Sequence, residues 1–310
     1  DLYSFDIQER VEQAIATNSQ LIKLSSKYDQ TTSATYITFL PGTDQLLFST
    51  AQFDQGRAFS YDNGDLYIAD TDTGKFRKLP YYISDFYISP DGKYIARDRI
   101  GAIDVLGLEG NIIRKNLVIY TPSQPSFLPP GIMWEPDSKG LIILLPVRTN
   151  FDLGYISEFT VWRYSLEEGR GVQIPLEILP TEGKLGMVSP DGKWILYNNA
   201  EEHYGFYLGD LNTGHAELYV SEDYISYYWS SDSEHFVYST AGGTLYLGSV
   251  NGSPQPIGGG EFLGWIDSKR YFYYVREKNI VILGNVNGSQ NIVSIHIPKT
   301  YSPRAFFAFV

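Results

Sequence analysis

The sequence predicts an all-β fold assembled from a repeated four-stranded unit, and three observations support this prediction. Aromatic residues make up 15% of the 310 residues, with 25 Tyr and 17 Phe, and these residue types favour half-buried pleated strands. The chain also carries 29 Gly and 16 Pro, as expected for many short turns. One phrase occurs twice, as "YISPDGKYIA" at 87–96 and "MVSPDGKWILY" at 187–197. Such self-similarity indicates a modular architecture.

The repeated phrase consists of a large apolar residue, a short polar turn and a run of β-forming residues. Weaker copies are found at 39–49, 134–144, 229–239, 265–275 and 301–310. The aligned apolar residues are Phe39, Ile88, Trp134, Val188, Trp229, Trp265 and Tyr301, at intervals of 36 to 54 residues. Pro and Asp set the turn, and Gly relieves its positive-φ position. The phrase therefore predicts two strands, a and b, joined by a tight turn.

A second phrase lies between successive copies of the first. It reads "DLYIADTDTGKFRKL" at 65–79 and "GFYLGDLNTGHAELYV" at 205–220, with further copies at 102–114, 159–174, 244–257 and 279–295. An apolar run, a polar turn ending in Gly and a second run are typical of a β-hairpin, here strands c and d. Four antiparallel strands in a unit of this length form one blade of a β-propeller.

The two ends of the chain determine the predicted number of blades. Residues 1–24 fit strands c and d, and residues 298–310 fit strands a and b, of one further unit. We therefore expect a seven-bladed β-propeller of four-stranded antiparallel blades. It would be a single domain over residues 1–310, with its last blade closed by both termini. Closure of this kind removes exposed sheet edges. Six blades with unpaired tails is the alternative.

Residues 8–18 depart from the hairpin pattern. Val11, Ala14 and Ile15 have helical spacing, and Asp6 is of a type that caps helices. We expect a short helical excursion here, in place of a c–d turn.

The Ser-Pro-Asp-Gly-Lys-aromatic-Ile phrase at 89–95 and 189–195 resembles the TolB-like, WD-like propeller repeats of bacteria. It also resembles the propeller half of dipeptidyl-peptidase and prolyl-oligopeptidase relatives. The resemblance covers nearly the whole chain as a repeat pattern. It implies an extracytoplasmic binding platform (periplasmic, secreted or at the cell surface) that often belongs to a larger assembly. The chain departs from the peptidases because the sequence contains no Gly-x-Ser-x-Gly pentapeptide, the motif of their nucleophile.

Composition argues against several classes of partner and chemistry. The net charge of −12 disfavours a nucleic-acid surface, which normally shows a basic stripe. No segment approaches the roughly 20 apolar residues of a membrane-spanning helix, so no membrane span is expected in this chain. The absence of Cys leaves no disulfide framework and no thiol chemistry.

Several motifs that resemble ligand sites are predicted to be structural. "DTDTG" at 70–74 falls where other units have their c–d turn, so a turn is favoured over a calcium loop. His215 and His235 are expected to be solvated turn residues. Three tryptophans share one repeat position, which favours packing between blades: Trp134, Trp229 and Trp265. We expect no metal site, no cofactor and no assigned catalytic residue.

The candidate binding site lies where the b–c and d–a connections share one face of a propeller. The b–c connections at 49–64 and 147–159 are long, that at 198–206 is intermediate, and the d–a connection at 120–131 is long and rich in Pro. Long connections in compact domains are usually functional or disordered. The aromatic content of these segments argues against disorder.

These connections carry aromatic residues and arginines, and Arg can bind carboxylate or phosphate with two hydrogen bonds. The candidate binding residues are Phe53, Arg57, Tyr61, Arg97, Arg148, Phe151, Tyr155, His203 and Tyr204. In the structural alternative, the arginines pair with the nearby acids Asp98, Asp152 and Glu277.

The sequence thus predicts a non-catalytic, extracytoplasmic binding or scaffold propeller that recognises a protein or peptide partner at its loop-rich face. One alternative is a hydrolase or lyase with carboxylates at the channel mouth, from Asp54, Asp98, Asp152, Glu201 and Glu202. Glycosidase-type chemistry would need two of them about 5–10 Å apart. The other alternative is a carbohydrate-binding propeller, so a small molecule or a glycan is the alternative ligand.

Overall fold

The computed structural model describes residues 2–6, 11–16, 31–53, 60–82, 86–121, 130–150, 156–180, 187–199, 205–221 and 224–293. These residues form 26 β-strands. Within the same ranges, no helix has the length and apolarity needed to cross a membrane. The chain divides into two compact units, Asp1–Ile119 and Tyr120–Val310. The expectation of one domain over residues 1–310 stays a prediction.

The first unit contains a two-stranded sheet and two four-stranded blades, all with antiparallel neighbours. The two-stranded sheet pairs β1 (Leu2–Asp6) with β2 (Val11–Ala16). Blade 1 consists of β3 (Thr31–Phe39), β4 (Gln45–Phe53), β5 (Ser60–Asp70) and β6 (Phe76–Tyr82). Blade 2 consists of β7 (Phe86–Ile88), β8 (Tyr94–Asp98), β9 (Ala102–Gly107) and β10 (Ile112–Ile119).

The second unit contains four blades of the same kind. Blade 3 consists of β11 (Gly131–Trp134), β12 (Gly140–Asn150), β13 (Ile156–Ser165) and β14 (Arg170–Ile174). Blade 4 consists of β15 (Met187–Val188), β16 (Trp194–Asn199), β17 (Gly205–Asp210) and β18 (Ala216–Val220). Blade 5 consists of β19 (Tyr224–Trp229), β20 (His235–Thr240), β21 (Thr244–Ser249) and β22 (Gly252–Gly259). Blade 6 consists of β23 (Glu261–Trp265), β24 (Arg270–Val275), β25 (Ile280–Asn285) and β26 (Gln290–Val293).

The repeat predicted the anatomy of each blade correctly. Six aligned apolar residues are each the last residue of a strand a: Phe39, Ile88, Trp134, Val188, Trp229 and Trp265. The seventh, Tyr301, lies outside the described residues. Within the described residues, the fold is therefore an all-β propeller with six blades.

The prediction of seven blades is wrong, and the alternative of six blades is confirmed. Residues 1–24 were expected to supply strands c and d of a closing blade. Among the described residues, β1 and β2 instead form a separate two-stranded sheet. Residues 298–310, expected to supply strands a and b, lie outside the described residues. A repeat in sequence revealed strand-forming runs, but it did not specify which distant segment each run pairs with.

The helical excursion predicted over residues 8–18 is also wrong. Val11–Ala16 is a strand paired with β1, with Asp6 opposite Val11. Ile15 is buried and packs with Phe48 and Tyr67 of blade 1. Packing against a sheet has overridden a weak local helical pattern, as tertiary context commonly does.

Aromatic rings on strand b lie over glycines on strand c in blades 5 and 6. Phe236 pairs across the strands with Gly248, and Tyr271 pairs with Gly284. Both rings are fully buried. A Cβ atom at either glycine would collide with the facing ring. Glycine is therefore required at these two positions because the aromatic ring occupies the space of the missing side chain.

The tryptophans at the end of strand a pack within and between blades, as predicted. Trp134 and Trp229 are buried. Trp265 stacks edge-on against Tyr271 of its own blade, and its Nε1 donates to the carbonyl oxygen of Tyr228 in blade 5 at 3.0 Å. These contacts confirm a structural role for the repeated Trp position.

Two of the turns between strands a and b share one hydrogen-bond arrangement of a Ser and an Asp. In blade 2, Ser89 Oγ donates to Asp91 Oδ1 at 2.7 Å and accepts the Tyr94 N–H at 2.9 Å. Blade 4 repeats this arrangement with Ser189 and Asp191 at 2.6 Å. The turn at 70–74 is likewise confirmed, because Asp70 Oδ1 accepts the Thr73 N–H and hydroxyl, each at 2.8 Å.

The acids of these a–b turns give the protein an acid-sensitive element. Burial pushes their pKa values upward, but hydrogen bonds from the Ser hydroxyl and from a backbone N–H outweigh it. The pKa of Asp91, Asp191 and Asp232 therefore lies below its usual value. A group with a lowered pKa stabilises the fold fully above its unfolded-state pKa, and this contribution is lost as the pH falls through the folded-state pKa.

We expect the melting temperature to fall steeply below about pH 4, where unfolded Asp protonates. The double variant Asp91→Asn/Asp191→Asn should show a shallower fall, because two of the responsible carboxyls are gone. Calorimetry between pH 7 and 3 measures both slopes. Glu109→Gln removes a largely exposed carboxylate and serves as the control with the wild-type slope. Identical slopes for the double variant and wild type would contradict the prediction.

Candidate functional site

Strands b and c of blades 1 and 3 extend well beyond those of the other blades. In blade 1, the β4–β5 pairing continues to Phe53 opposite Ser60. In blade 3, the β12–β13 pairing continues to Asn150 opposite Ile156. These strands contain 9 to 11 residues, whereas strands b and c of the other blades contain 5 or 6. The described parts of the two b–c connections predicted as long loops, 49–64 and 147–159, therefore largely continue the paired strands.

The structure describes the side chain of one predicted binding residue, Arg97 in β8. Three others are placed by their backbone alone: Phe53 ends β4, Tyr61 in β5 faces Gln52, and Arg148 in β12 faces Glu158. The remaining five lie outside the described residues: Arg57, Phe151, Tyr155, His203 and Tyr204. The site as a whole stays a prediction. Arg97 is the one predicted binding residue whose side-chain contacts the structure describes.

Arg97 belongs to a cluster built around a buried carboxylate, Asp104 in β9. The β8–β9 register places Arg97 directly opposite Asp104, and Arg97 Nη2 lies 3.1 Å from Asp104 Oδ2. Arg99 Nε donates to the same oxygen at 2.6 Å, and Arg99 Nη2 donates to Asp104 Oδ1 at 3.2 Å. The side chain of Asp104 is only 2% exposed. Two guanidinium groups thus share one carboxylate inside the blade.

Strand β10 completes the cluster through a bulge at Asn116. The pairing of β10 with β9 shifts register between Arg114 and Val118, and Asn116 adopts a positive φ of 53°. The Asn116 N–H donates to Asp104 Oδ1 at 2.8 Å, while its Oδ1 accepts from Arg99 Nη2 at 2.6 Å. The bulge therefore directs the Asn116 N–H toward the Asp104 carboxylate, and the Asn116 side chain gives Arg99 a second hydrogen-bond partner.

The protonation of Asp104 follows from these contacts. Burial alone would raise the pKa of its carboxyl. Hydrogen bonds from Arg99, from the Asn116 backbone and from Arg97 outweigh burial and hold the pKa of Asp104 below its usual value. Asp104 is thus a carboxylate at neutral pH, and its charge fixes the orientation of both arginines.

The structural alternative for Arg97 is partly right, with a different partner. Arg97 pairs with Asp104 of the neighbouring strand, whereas Asp98 Oδ1 accepts the N–H of Ile100 at 3.0 Å. The other acids of the hydrolase alternative lie outside the described residues: Asp54, Asp152, Glu201 and Glu202.

A second group of polar side chains lies at the a–b turn of blade 5. Asp232, Glu234 and His235 bring one ligand atom each within 4.8 Å of one another. His235 begins β20 and is only partly exposed, so the expectation of a solvated turn residue is wrong for it. His215 is largely exposed and contacts Glu177 at 2.8 Å. Asp232 already accepts from the Ser230 hydroxyl, as the acids of blades 2 and 4 do, so the turn itself accounts for this group.

Comparison with solved structures supports the fold. The β-propeller domain of Cps50 (Swd1) from Myceliophteria thermophila gives a TM-score of 0.56 at 14% identity, covering 86% of this chain and 87% of that chain. TolB from Acinetobacter baumannii gives 0.48 at 12% identity, covering 89% and 82%. A putative TolB from Agrobacterium tumefaciens gives 0.43 at 15% identity, covering 93% and 85%.

Comparison of sequences does not identify a family for this chain. No protein-family model matches the chain, and no curated protein matches it. The likeness to the Swd1 domain shows a shared β-propeller fold. The two TolB likenesses are weaker and add nothing to that conclusion.

Proposed function

We propose that this chain is a non-catalytic, extracytoplasmic binding or scaffold propeller that recognises a protein or peptide partner. The partner would bind at the face formed by the b–c and d–a connections. The observation that carries this proposal is the contrast between the two ends of the blades. A propeller fold by itself is compatible with many functions, whereas this local difference favours one end of the blades as the binding face.

At the a–b end, the described turns are short, and in three of them an Asp carboxylate is hydrogen-bonded by a Ser of the same turn. The Ser–Asp arrangement recurs in blades 2, 4 and 5. The Ser and Asp side chains of these turns are therefore already engaged within the turn. At the b–c end, blades 1 and 3 instead project hairpins that extend to Phe53 and Asn150. Projecting loops on a rigid scaffold are where binding residues concentrate.

The proposed site uses Arg57, Arg97 and Arg148 for polar contacts. The aromatic residues on the same connections would supply contact area: Phe53, Tyr61, Phe151, Tyr155 and Tyr204. Arg97 is anchored to Asp104, so its removal would also disturb the blade. Arg57 and Arg148 are therefore the better residues with which to separate binding from stability.

We expect Arg57→Ala/Arg148→Ala to lose a protein partner that wild type captures from native extract. Its melting temperature should stay within a few degrees of wild type. The control is Arg170→Ala, because Arg170 lies at the c–d turn of blade 3 and forms an exposed pair with Glu168. Mass spectrometry identifies the captured species. A partner retained equally by both variants would contradict the proposed face, and an empty capture with folded wild type would contradict a protein partner.

The extracytoplasmic location rests on the resemblance of the Ser-Pro-Asp-Gly phrase to TolB-like repeats. Fractionation of native cells, followed by detection of the chain with a specific antibody, tests it. Recovery in the cytosolic fraction alone would contradict this part of the proposal.

A further inference from the structure

We infer that the b–c tip of blade 2 is a docking site for an acidic peptide segment in which aliphatic side chains neighbour a carboxylate. The tip consists of Arg99, Ile100, Asn116 and Ile119. This inference deepens the proposed function and rests on it. It specifies the chemistry of the partner, an acidic peptide segment with aliphatic side chains, and the part of the propeller that binds it. Three independent features of the tip support it.

The first feature is exposed aliphatic surface. Ile100 is 67% exposed and Ile119 is 74% exposed. Ile119 pairs with Ala102 at the end of the β9–β10 ladder, and Ile100 lies two residues before Ala102. Both isoleucines therefore belong to the same end of blade 2. Covering such side chains removes apolar surface from water, which favours association.

The second feature is backbone strain at Ile100. The β8–β9 hairpin turns through two residues, Ile100 with a φ of 56° and Gly101 with a φ of 103°. Turns of this kind strongly prefer Asn, Asp or Gly, and a β-branched residue with positive φ is an outlier. The backbone conformation at position 100 disfavours isoleucine. The presence of an exposed isoleucine there therefore indicates a functional role for its side chain, which here is contact with a partner.

The third feature is a fixed positive charge beside the isoleucines. Arg99 is held by Asp104 and Asn116, yet its side chain is 38% exposed. Within the described part of the chain, its Nη1 makes no hydrogen bond. A guanidinium already held in one orientation loses little freedom when it binds a second carboxylate.

The surrounding charge favours the same partner. Residues 94–119 carry four cationic residues and three acids, of which Glu109 lies in the β9–β10 turn at the opposite end of the blade: Arg97, Arg99, Arg114, Lys115, Asp98, Asp104 and Glu109. This local excess of positive charge occurs in a chain with a net charge of −12. Complementary charge favours encounter with an acidic segment and disfavours basic ones.

The test uses a phage-displayed library of random eight-residue peptides, selected on immobilised wild type. We expect enrichment of peptides that place Asp or Glu beside Leu, Ile or Val. The affinity of the enriched peptides, measured by fluorescence anisotropy, should fall about tenfold or more in Ile100→Gly/Ile119→Thr, as for loss of an interface anchor. Glycine relieves the strain at position 100, so this variant should remain at least as well folded at that turn.

The matched control is Ile112→Thr. Ile112 is an exposed isoleucine on the same strand, β10, but it pairs with Leu106 at the opposite end of the blade. It should leave peptide affinity unchanged. Enriched peptides that bind the double variant as well as wild type would overturn the blade 2 site while leaving a peptide-binding propeller intact. Failure of wild type to enrich any peptide would overturn this inference, whereas the capture from native extract decides separately whether the propeller has a protein partner.

Discussion

Replacing Asp104 with Asn is expected to lower the free energy of unfolding by about 3–5 kcal/mol, the usual effect of removing one partner from a buried ion pair. The Asp104 carboxylate accepts from two guanidinium groups and from the Asn116 N–H. An amide offers one acceptor oxygen in place of two and carries no charge. Arg97, which is 19% exposed, would then be left as a largely buried cation without its acid. Urea denaturation at pH 7 measures the loss.

A matched variant in the same blade separates this effect from simple loss of charge. Glu109 pairs with Arg77 at 3.3 Å, but the two side chains are 83% and 49% exposed. Exposed pairs contribute about 0–1 kcal/mol, so Glu109→Gln should leave stability nearly unchanged. Equal losses for Asp104→Asn and Glu109→Gln would show that burial does not set the importance of the Asp104 cluster.

The blade anatomy could be predicted because each blade is specified locally. An apolar residue, a Ser–Asp turn and a β-forming run lie within about ten residues of one another, so their pattern is visible in sequence. Trp229, for example, ends β19 as its position in the repeat indicated. Local turn chemistry and strand alternation carry this information without reference to distant contacts.

The prediction of a seventh blade is wrong because, unlike the other blades, it combined segments that are distant in the sequence. Pairing residues 1–24 with 298–310 required contacts between the two ends of the chain. Sequence periodicity does not encode such pairing. The segment at 11–16 formed a strand with its neighbour at 2–6 instead, a short-range solution that needs little loop closure.

The contact between Arg97 and Asp104 could have been predicted from the sequence, but Asp104 is not among the predicted site residues. A two-residue turn at Ile100 and Gly101 fixes the hairpin register, because turn length determines which residues face each other. That register places Arg97 opposite Asp104. Asp104 was overlooked because it lies inside an apolar strand, "AIDVLG". The bulge at Asn116 carries no comparable sequence signal, so its contribution required the structure.

The substitution Phe236→Ala should destabilise the protein by about 3–5 kcal/mol, as for other large-to-small changes at buried aromatic residues. Phe236 is fully buried and contacts the rings of Phe206, Tyr219 and Trp229. Removing it leaves a cavity bounded by rings from two blades, because Phe206 and Tyr219 belong to blade 4. The surrounding rings cannot move into this cavity without losing their own packing contacts, so the cavity stays open. Equilibrium denaturation gives the magnitude.

Substitution of Gly248 tests whether glycine is required there because the Phe236 ring occupies the space of a side chain. Gly248→Ala in wild type should cost about 1–3 kcal/mol, because the new Cβ would collide with the Phe236 ring and force the core to shift. In the Phe236→Ala background the ring is absent, so the same methyl group should be tolerated and should fill part of the cavity. The two substitutions would then couple by about 1–3 kcal/mol in a double-mutant cycle. Additive losses would mean that Gly248 is needed for its backbone and not for the space that it leaves to the ring.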